Sequence, residues 1–262
     1  MRAISLAKFE EYTINEDAAI VKENLVAVSD GAGGGGVFAE RWAQYLVEHV
    51  PDKPIKNYKA FDKWIGGIWE PFYNEYEEKA KSIGGMFLNK FYDEGSFATL
   101  VAVWEGGQWV SYGDSVVFCY NWKTKELQHS YTHLTDFNNP PFLINCKDPL
   151  NKSGFRNGKF KISEDCIVLA ASDALAHYII MMYEVSLSNK FIDELQKATN
   201  ALTRNSNFIK TAMSLTNLDF EKDVIQKLLN CNRDFLLRNH IKSLWKKGLI
   251  GHDDYSLAIY DY

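Results

Sequence analysis

The feature that most limits what this chain can become is a series of short runs rich in β-branched and aromatic residues. They are AAIV (18–21), NLVAVS (24–29), FATLVAVWE (97–105), QWVSYG (108–113), VVFCYNW (116–122), CIVLAAS (166–172) and YSLAIYDY (255–262). Runs of this length and composition read as strands. Turn signals such as Lys22-Glu23-Asn24 and Glu105-Gly106-Gly107 separate neighbours, and strands joined so tightly pair as antiparallel hairpins. Helical stretches fall between the groups. Residues 38–49 place Phe38, Trp42, Tyr45 and Leu46 on one face. A second stretch runs through 59–82, with a break expected near Gly66-Gly67 and Pro71. A third covers about 189–202, and a fourth 219–246, where Phe220, Val224, Ile225 and Leu228 recur at helical spacing. Strict βαβ alternation is missing, which argues against a doubly wound parallel sheet and for antiparallel sheets covered by helices. The polar stretch 123–165, with Pro140-Pro141, reads as long loops and short strands. Without a repeat or a low-complexity tract, the simplest partition is one domain over 1–262, its last strand tying the C-terminus into a sheet.

Bulk composition narrows the partners. A chain of 262 residues with 46% hydrophobic and 14% aromatic residues can bury a sizeable core. Its net charge of −5 gives no basic footprint, so nucleic acid is not an expected partner. No apolar run approaches the ~18 residues a membrane helix needs, and MRAISLAKFEEYT lacks the apolar centre of a secretion signal. Cys119, Cys146, Cys166 and Cys231 form no CxxC pair. They read as free buried thiols, and the expected compartment is the reducing cytoplasm.

The segment DGAGGGG (30–36) poses a choice. It follows an apolar strand and precedes a helix, and Gly31, Gly33 and Gly36 satisfy GxGxxG. A dinucleotide loop, however, holds a pyrophosphate on backbone N–H groups, and Asp30 beside the first glycine would repel that anion. The acid such a motif wants ~20 residues on should end a second strand, whereas Asp52 lies in the turn HVPDKPIKN. The position of Asp30 belongs instead to a wider pattern. Glu16 and Asp17 precede the first strand run, Asp30 closes the second, Asp114 closes QWVSYG, Asp173 closes CIVLAAS, and Asp253 and Asp254 open the last. An Asp at a strand end is commonly a turn residue or a cap. So many at the ends of buried strands suggest convergence, and crowded carboxylates need a counter-charge. No Lys or Arg neighbours Asp30, Asp114 or Asp173 in sequence. All-oxygen donors favour Mg²⁺ or Mn²⁺ over zinc, and the glycines would let backbone and bound water come close.

The segments NEDAAIV (15–21), VAVSDGAGGG (27–35), GSFATLVAVW (95–104), VSYGDSVVFCY (110–120), IVLAASDAL (167–175) and HDDYSLAIY (252–260), in that order, resemble the motifs of the metal-dependent, type-2C serine/threonine protein phosphatases. The resemblance spans nearly the whole chain. It implies an α+β fold, a four-layer αββα sandwich of two antiparallel sheets with helices outside, and a centre of two Mg²⁺ or Mn²⁺ ions, with room for a third. By position, Asp30 would bridge both ions and the Gly31 carbonyl would add a ligand. Asp173 and Asp253 would hold the first ion, Glu16 would reach the second with Asp17 beside it, and Asp114 would sit at the third. The implied reaction is attack of a metal-activated water on a phosphoserine or phosphothreonine of a phosphoprotein substrate.

The sequence also departs from the family pattern. An Arg that grips substrate phosphate often stands four residues before the Glu of the ED pair, and here that position is Tyr12; Arg2, Lys8 or Lys22 could substitute. Ala32 stands where many members have His, Ala174 replaces a glycine, and Asp254 occupies a usual Asn position. The usual GST is stretched to Gly95-Ser96-Phe97-Ala98-Thr99. His177, about one helical turn beyond Asp173, is a candidate general acid beside Asp17 and Asp30. His252 could orient Asp253. The departures leave a second reading open, a non-catalytic module that regulates a partner or binds phosphoproteins.

Overall fold

A computed structural model describes residues 1–10, 13–34 and 36–261. Position 12, where the phosphate-gripping Arg is expected, lies outside them. The elements, in order, are β1 (Arg2–Leu6), β2 (Ala18–Lys22), β3 (Leu25–Ser29), α1 (Ala39–His49), α2 (Tyr58–Ile83) and α3 (Gly85–Glu94). There follow β4 (Phe97–Ala98), β5 (Leu100–Trp104), β6 (Gln108–Tyr112), β7 (Val116–Asn121), β8 (Glu126–His129), β9 (Ile144–Asn145), β10 (Phe155–Lys159) and β11 (Cys166–Ala171). The chain closes with α4 (Asp173–Ser186), α5 (Ile192–Asn200), α6 (Arg204–Met213), α7 (Gln226–Asn230), α8 (Asp234–Lys246) and β12 (Tyr255–Asp261). One antiparallel sheet has the order β1-β12-β11-β7-β8, and the other β10-β6-β5-β3-β2.

The strand runs are apolar at nearly every position because each sheet is covered on both faces. Period-two alternation sorts their side chains. Val26 and Val28 of β3, Val101 and Val103 of β5, Val117 and Cys119 of β7, and Val168 and Ala170 of β11 meet between the sheets. The alternate residues Leu25, Ala27, Leu100 and Ala102 face α1–α3, where Trp42, Phe61 and Phe72 pack. On the other sheet Phe118, Leu169, Leu257 and Ile259 face the helices of 173–250. Helix, sheet, sheet, helix is therefore the layer order, as the resemblance implies. All four cysteines are free and buried. Among the described residues, no helix is long and apolar enough to cross a membrane.

Several expectations change. The break near Pro71 does not occur, and α2 runs unbroken through it. A proline ring collides with the carbonyl one turn earlier, here that of Gly67, where there is only open space beside the backbone. The stripe Phe61, Ile65, Phe72, Tyr76 and Ala80 holds both halves to the core. The stretch 219–246 splits into a π-turn (Glu221–Ile225), α7 and α8. β1, α3, α4 and α6 add elements that periodicity did not mark. α4 is buried continuously from Leu175 to Glu184, and a helix apolar all round carries no amphipathic stripe to read.

Candidate metal centre

Strand register carries the acidic residues to one end of the sandwich. Ala18 pairs with Ser29 across the β2–β3 hairpin, so Asp17 and Asp30 are the next residues out on its open end. Gly31 continues the pairing as an isolated bridge to Ala98. In the other sheet Ala171 pairs with Val116 and with Leu257. The C-terminal end of β11, with Asp173 after it, thus adjoins the starts of β7 and β12, where Asp114 and Asp253 stand. Leu6 opposite Tyr255 brings the end of β1 to the same edge.

Hydrogen bonds hold the backbone here. Thr99 donates its N–H to the Asp30 carbonyl (2.8 Å), and its Oγ1 accepts from the Asp30 N–H (3.1 Å). Ser29 Oγ donates to the Thr99 carbonyl (2.6 Å). The Gly31 N–H reaches the Glu16 carbonyl (3.1 Å). A Cβ on Gly31 would stand 2.5 Å from that carbonyl oxygen, and one on Gly33 only 1.7 Å from Glu16 Oε1. Gly31 and Gly33 therefore make room for Glu16, which the side chain of a bulkier residue at either position would displace.

The acids feel one another. Burial pushes Asp17 up to about 8, Asp254 and Asp253 add to the rise, and the Ser172 and Ser256 hydroxyls offset part of it. Asp30 lies well above the usual carboxylate range, first through burial and then through Asp17, Asp173, Asp114 and Asp253. Asp173 does likewise, through burial, Asp114, Asp253 and Asp17. Asp114 is raised to about 6 by burial, with Arg156 acting against the rise. Glu16 and Asp253 are also raised, chiefly by burial, and Lys8 acts against both. Asp30, Asp173 and Asp253 still reach solvent at their surfaces, so the carboxyl groups are sunk into the fold while the rim stays open to an ion or a substrate. The sites expected at Glu16, Asp17, Asp30, Asp114, Asp173 and Asp253 form a single electrostatic neighbourhood.

Crowded carboxylates need protons or a cation. The donors are all oxygen, and Asp17 Oδ2 is buried without a hydrogen-bond partner. That chemistry fits a hard divalent ion. Among the described residues, no three His, Cys, Asp or Glu side chains are already gathered as a cage for one ion. Several are turned to backbone N–H groups instead. An Asp173 oxygen accepts from its own helix at Ala174 N, and Asp253 Oδ1 accepts from Asp254 N (3.0 Å). Asp254 spends both oxygens on the N–H groups of Lys8 and Glu16, each at 2.7 Å. This buried Asp254 therefore clamps the β1–β2 connection to the start of β12.

The two candidate histidines differ from expectation. Burial lowers His177 to about 4, the opposite of what a proton donor at neutral pH requires. Its Nε2 has no partner, and its ring stands edge-on to Phe137 at 5.3 Å. His252 turns to Glu10 (Nδ1–Oε1 3.6 Å) rather than to Asp253.

Of the cations considered as substitutes for the missing Arg, Arg2 reaches the Leu228 and Leu229 carbonyls, and Lys22 the Glu48 and Val50 carbonyls. Only Lys8 neighbours the acids. Two further cations border the cluster without a sequence signal. Arg156 is pinned by Ser111 Oγ (3.2 Å), the Gly113 carbonyl and the Tyr131 ring. Arg204, in the polar segment TRNSN, faces Asp253. Both come from stretches whose sequence carries no motif.

No family profile matches the chain, and no curated protein matches it either. Solved structures do. The catalytic domain of the serine/threonine protein phosphatase PstP, in complex with two manganese ions, aligns over 98% of this chain and 95% of its own at 14% identity, with a TM-score of 0.52. PstP/Ppp of Mycobacterium tuberculosis aligns over 98% and 96% at 15% identity and a TM-score of 0.49. Stp1 of Staphylococcus aureus does so over 98% and 93% at 12% and 0.48.

Proposed function

The chain has the fold of a serine/threonine protein phosphatase, and we propose that it works as one: a Mg²⁺- or Mn²⁺-dependent hydrolase of phosphoserine and phosphothreonine in protein substrates. The observation that carries this is the convergence of Asp17, Asp30, Asp114, Asp173 and Asp253 from the ends of both sheets, where Asp17, Asp173, Asp114 and Asp253 all add to the rise in the pKa of Asp30. Asp30, the Gly31 carbonyl, Asp17, Asp173, Asp253 and Glu16 are the groups we assign to two ions, with Asp114 beside a third. Ions bound there would acidify a water and offset charge on the phosphoryl oxygens.

The chain's own residues do the rest. The β2–β3 ladder and Thr99 fix Asp30 from both sides of its backbone. Gly31 and Gly33 let Glu16 approach. Ser172 and Ser256 share the load on Asp17. His177, neutral at physiological pH, serves as a hydrogen-bonding wall rather than as the acid, and protonation of the leaving oxygen falls to solvent at the open rim. We place the reaction in a cytoplasmic, phosphoprotein-signalling context.

A second reading keeps one specific observation on its side. Asp254, Asp253 and Asp173 direct oxygens to backbone N–H groups, as in a structural clamp, and this favours a non-catalytic phosphoprotein-binding module. p-Nitrophenyl phosphate hydrolysis separates the two. The enzyme reading expects turnover that needs Mn²⁺, stops with chelator, and falls at least about a hundredfold in Asp30→Asn. Phosphopeptide binding with no turnover under any metal would overturn it in favour of the module.

A further inference from the structure

A cavity of about 160 Å³ opens between the first turns of α4 and α6. Asp173, Asp253, His177, Arg204, Asn205 and Phe208 line it. It joins the acids of the candidate centre to the helical cover, and among the described residues its only guanidinium is that of Arg204.

Arg204 combines a fixed base with a free head. It is the first residue of α6, whose cap Thr203 accepts from the Ser206 N–H. Thr203 Oγ1 also donates to Asn138 Oδ1 (2.8 Å), and Asn205 Nδ2 reaches the Phe137 carbonyl and Asn138 Oδ1, each at 3.2 Å. These bonds tie the start of α6 to the turn Leu134–Asn138. The guanidinium itself has no hydrogen-bond or close ion-pair partner among the described residues. It lies over the Phe208 ring at 5.8 Å from the centroid, a face that restricts where the fork points. It is near enough to Asp253 to act, with Lys8, against the rise in that residue's pKa. Arg156, by contrast, has its fork occupied by Ser111 and Gly113. His177 also lines the cavity, and its Nε2 is buried without a hydrogen-bond partner.

We propose that Arg204 is a substrate-binding residue: its fork takes two oxygens of the phosphoryl group. This rests on the phosphatase reading. Arg suits the role because a planar fork matches a phosphoryl edge in two parallel charge-assisted bonds. The position would deliver a phosphate to the acids from the helical cover rather than from the segment before β2.

The test uses the full chain with Mn²⁺, p-nitrophenyl phosphate and a phosphoserine peptide for kinetics, and inorganic phosphate for calorimetric binding. Arg204→Ala is expected to raise KM for both substrates, and Kd for inorganic phosphate, roughly 10- to 100-fold. The same variant should change kcat less and leave thermal stability unchanged. Arg204→Lys, which keeps the charge but loses the fork, should fall between. The Mn²⁺ concentration for half activation should stay the same or drop, since a nearby cation is gone. A rise in that concentration, with KM unchanged, would mean that Arg204 merely positions Asp253 and would overturn the proposal. Turnover with no change in KM or phosphate affinity would also overturn it while leaving the phosphatase reading intact. An inert wild type that still binds phosphoserine peptide through Arg204 would keep the proposal and sink the phosphatase. No turnover and no binding would sink both.

Discussion

The two sides of the sandwich reach the candidate centre by different means. On the β2–β3 side, ladder register, the Thr99 bonds and two close-packed glycines set Asp17, Asp30, Gly31 and Glu16 within a few residues of one hairpin. On the β11–β12 side, Asp173 and Asp253 lie far apart in sequence, and between them comes the whole helical cover of residues 174–250. A hairpin leaves its acids little freedom, because a one-residue slip would turn every core side chain outward. A helical cover held by packing can change its cavity-facing residues at low structural cost, and Arg204 is such a residue. The difference teaches where to expect fixed chemistry and where to expect variable recognition.

The largest effect that tests this contrast comes from comparing two aspartates. Asp30→Asn should lower kcat/KM at least about a hundredfold, while stability in chelator holds or rises, because one member of a repelling set is neutralised. Asp254→Ala should do the reverse in kind. It strands the half-buried N–H groups of Lys8 and Glu16, at a cost of about 1–3 kcal/mol in urea unfolding. If Asp254→Ala leaves stability unchanged, the clamp is not structural and Asp254 belongs with the centre.

The next effect sharpens the hairpin side. A Cβ on Gly31 meets backbone at 2.5 Å from Glu16 and 2.8 Å from Ala39. Backbone cannot step aside, so Gly31→Ala should cost about 1–3 kcal/mol of stability. On Gly33 the nearest atom is the Glu16 side chain, which can swing away. Gly33→Ala should therefore leave the melting temperature nearly unchanged while raising the Mn²⁺ requirement of the phosphatase assay several-fold. Equal losses of stability in both variants would show that the loop, and not Glu16, sets the need for glycine.

The same contrast governs what could be read in advance. Antiparallel pairing, the acids at strand ends and the closeness of Asp17 to Asp30 were legible because period-two runs and tight turns specify register locally. The role of the glycines was legible in kind, as close approach, but not in its object, which is Glu16. The helical side was far less readable. α4 shows no stripe because every face is buried. α2 hid its continuity behind Pro71. His177 looked titratable in sequence, and only its burial among Phe137, Phe208 and α4 reveals the depressed pKa. Arg204 gave no signal at all, since its importance comes from which cavity its helix meets.

The smallest effect concerns Glu184, a second kind of buried acid. It lies in α4, within the helical cover, and its Oε2 has no hydrogen-bond partner. Burial, with Glu194 adding, raises it from 4.5 to about 8. Unlike the acids of the centre, it has a single acidic neighbour, Glu194, acting on it rather than a crowd, so a proton is its means of neutrality. The folded state keeps this proton above pH 4.5 while the unfolded chain releases it. The contribution is thus fully present below pH 4.5 and is lost as pH rises through about 8. Between pH 6 and pH 9, with Mn²⁺ present, the wild type should lose about 1–2 kcal/mol more stability than Glu184→Gln. The comparison is made by urea unfolding at both pH values. The variant cancels what the carboxylates of the centre contribute, since they are common to both proteins. Equal losses would mean that Glu184 ionises freely in the folded state, and that the helical cover is looser around α4 than its packing indicates.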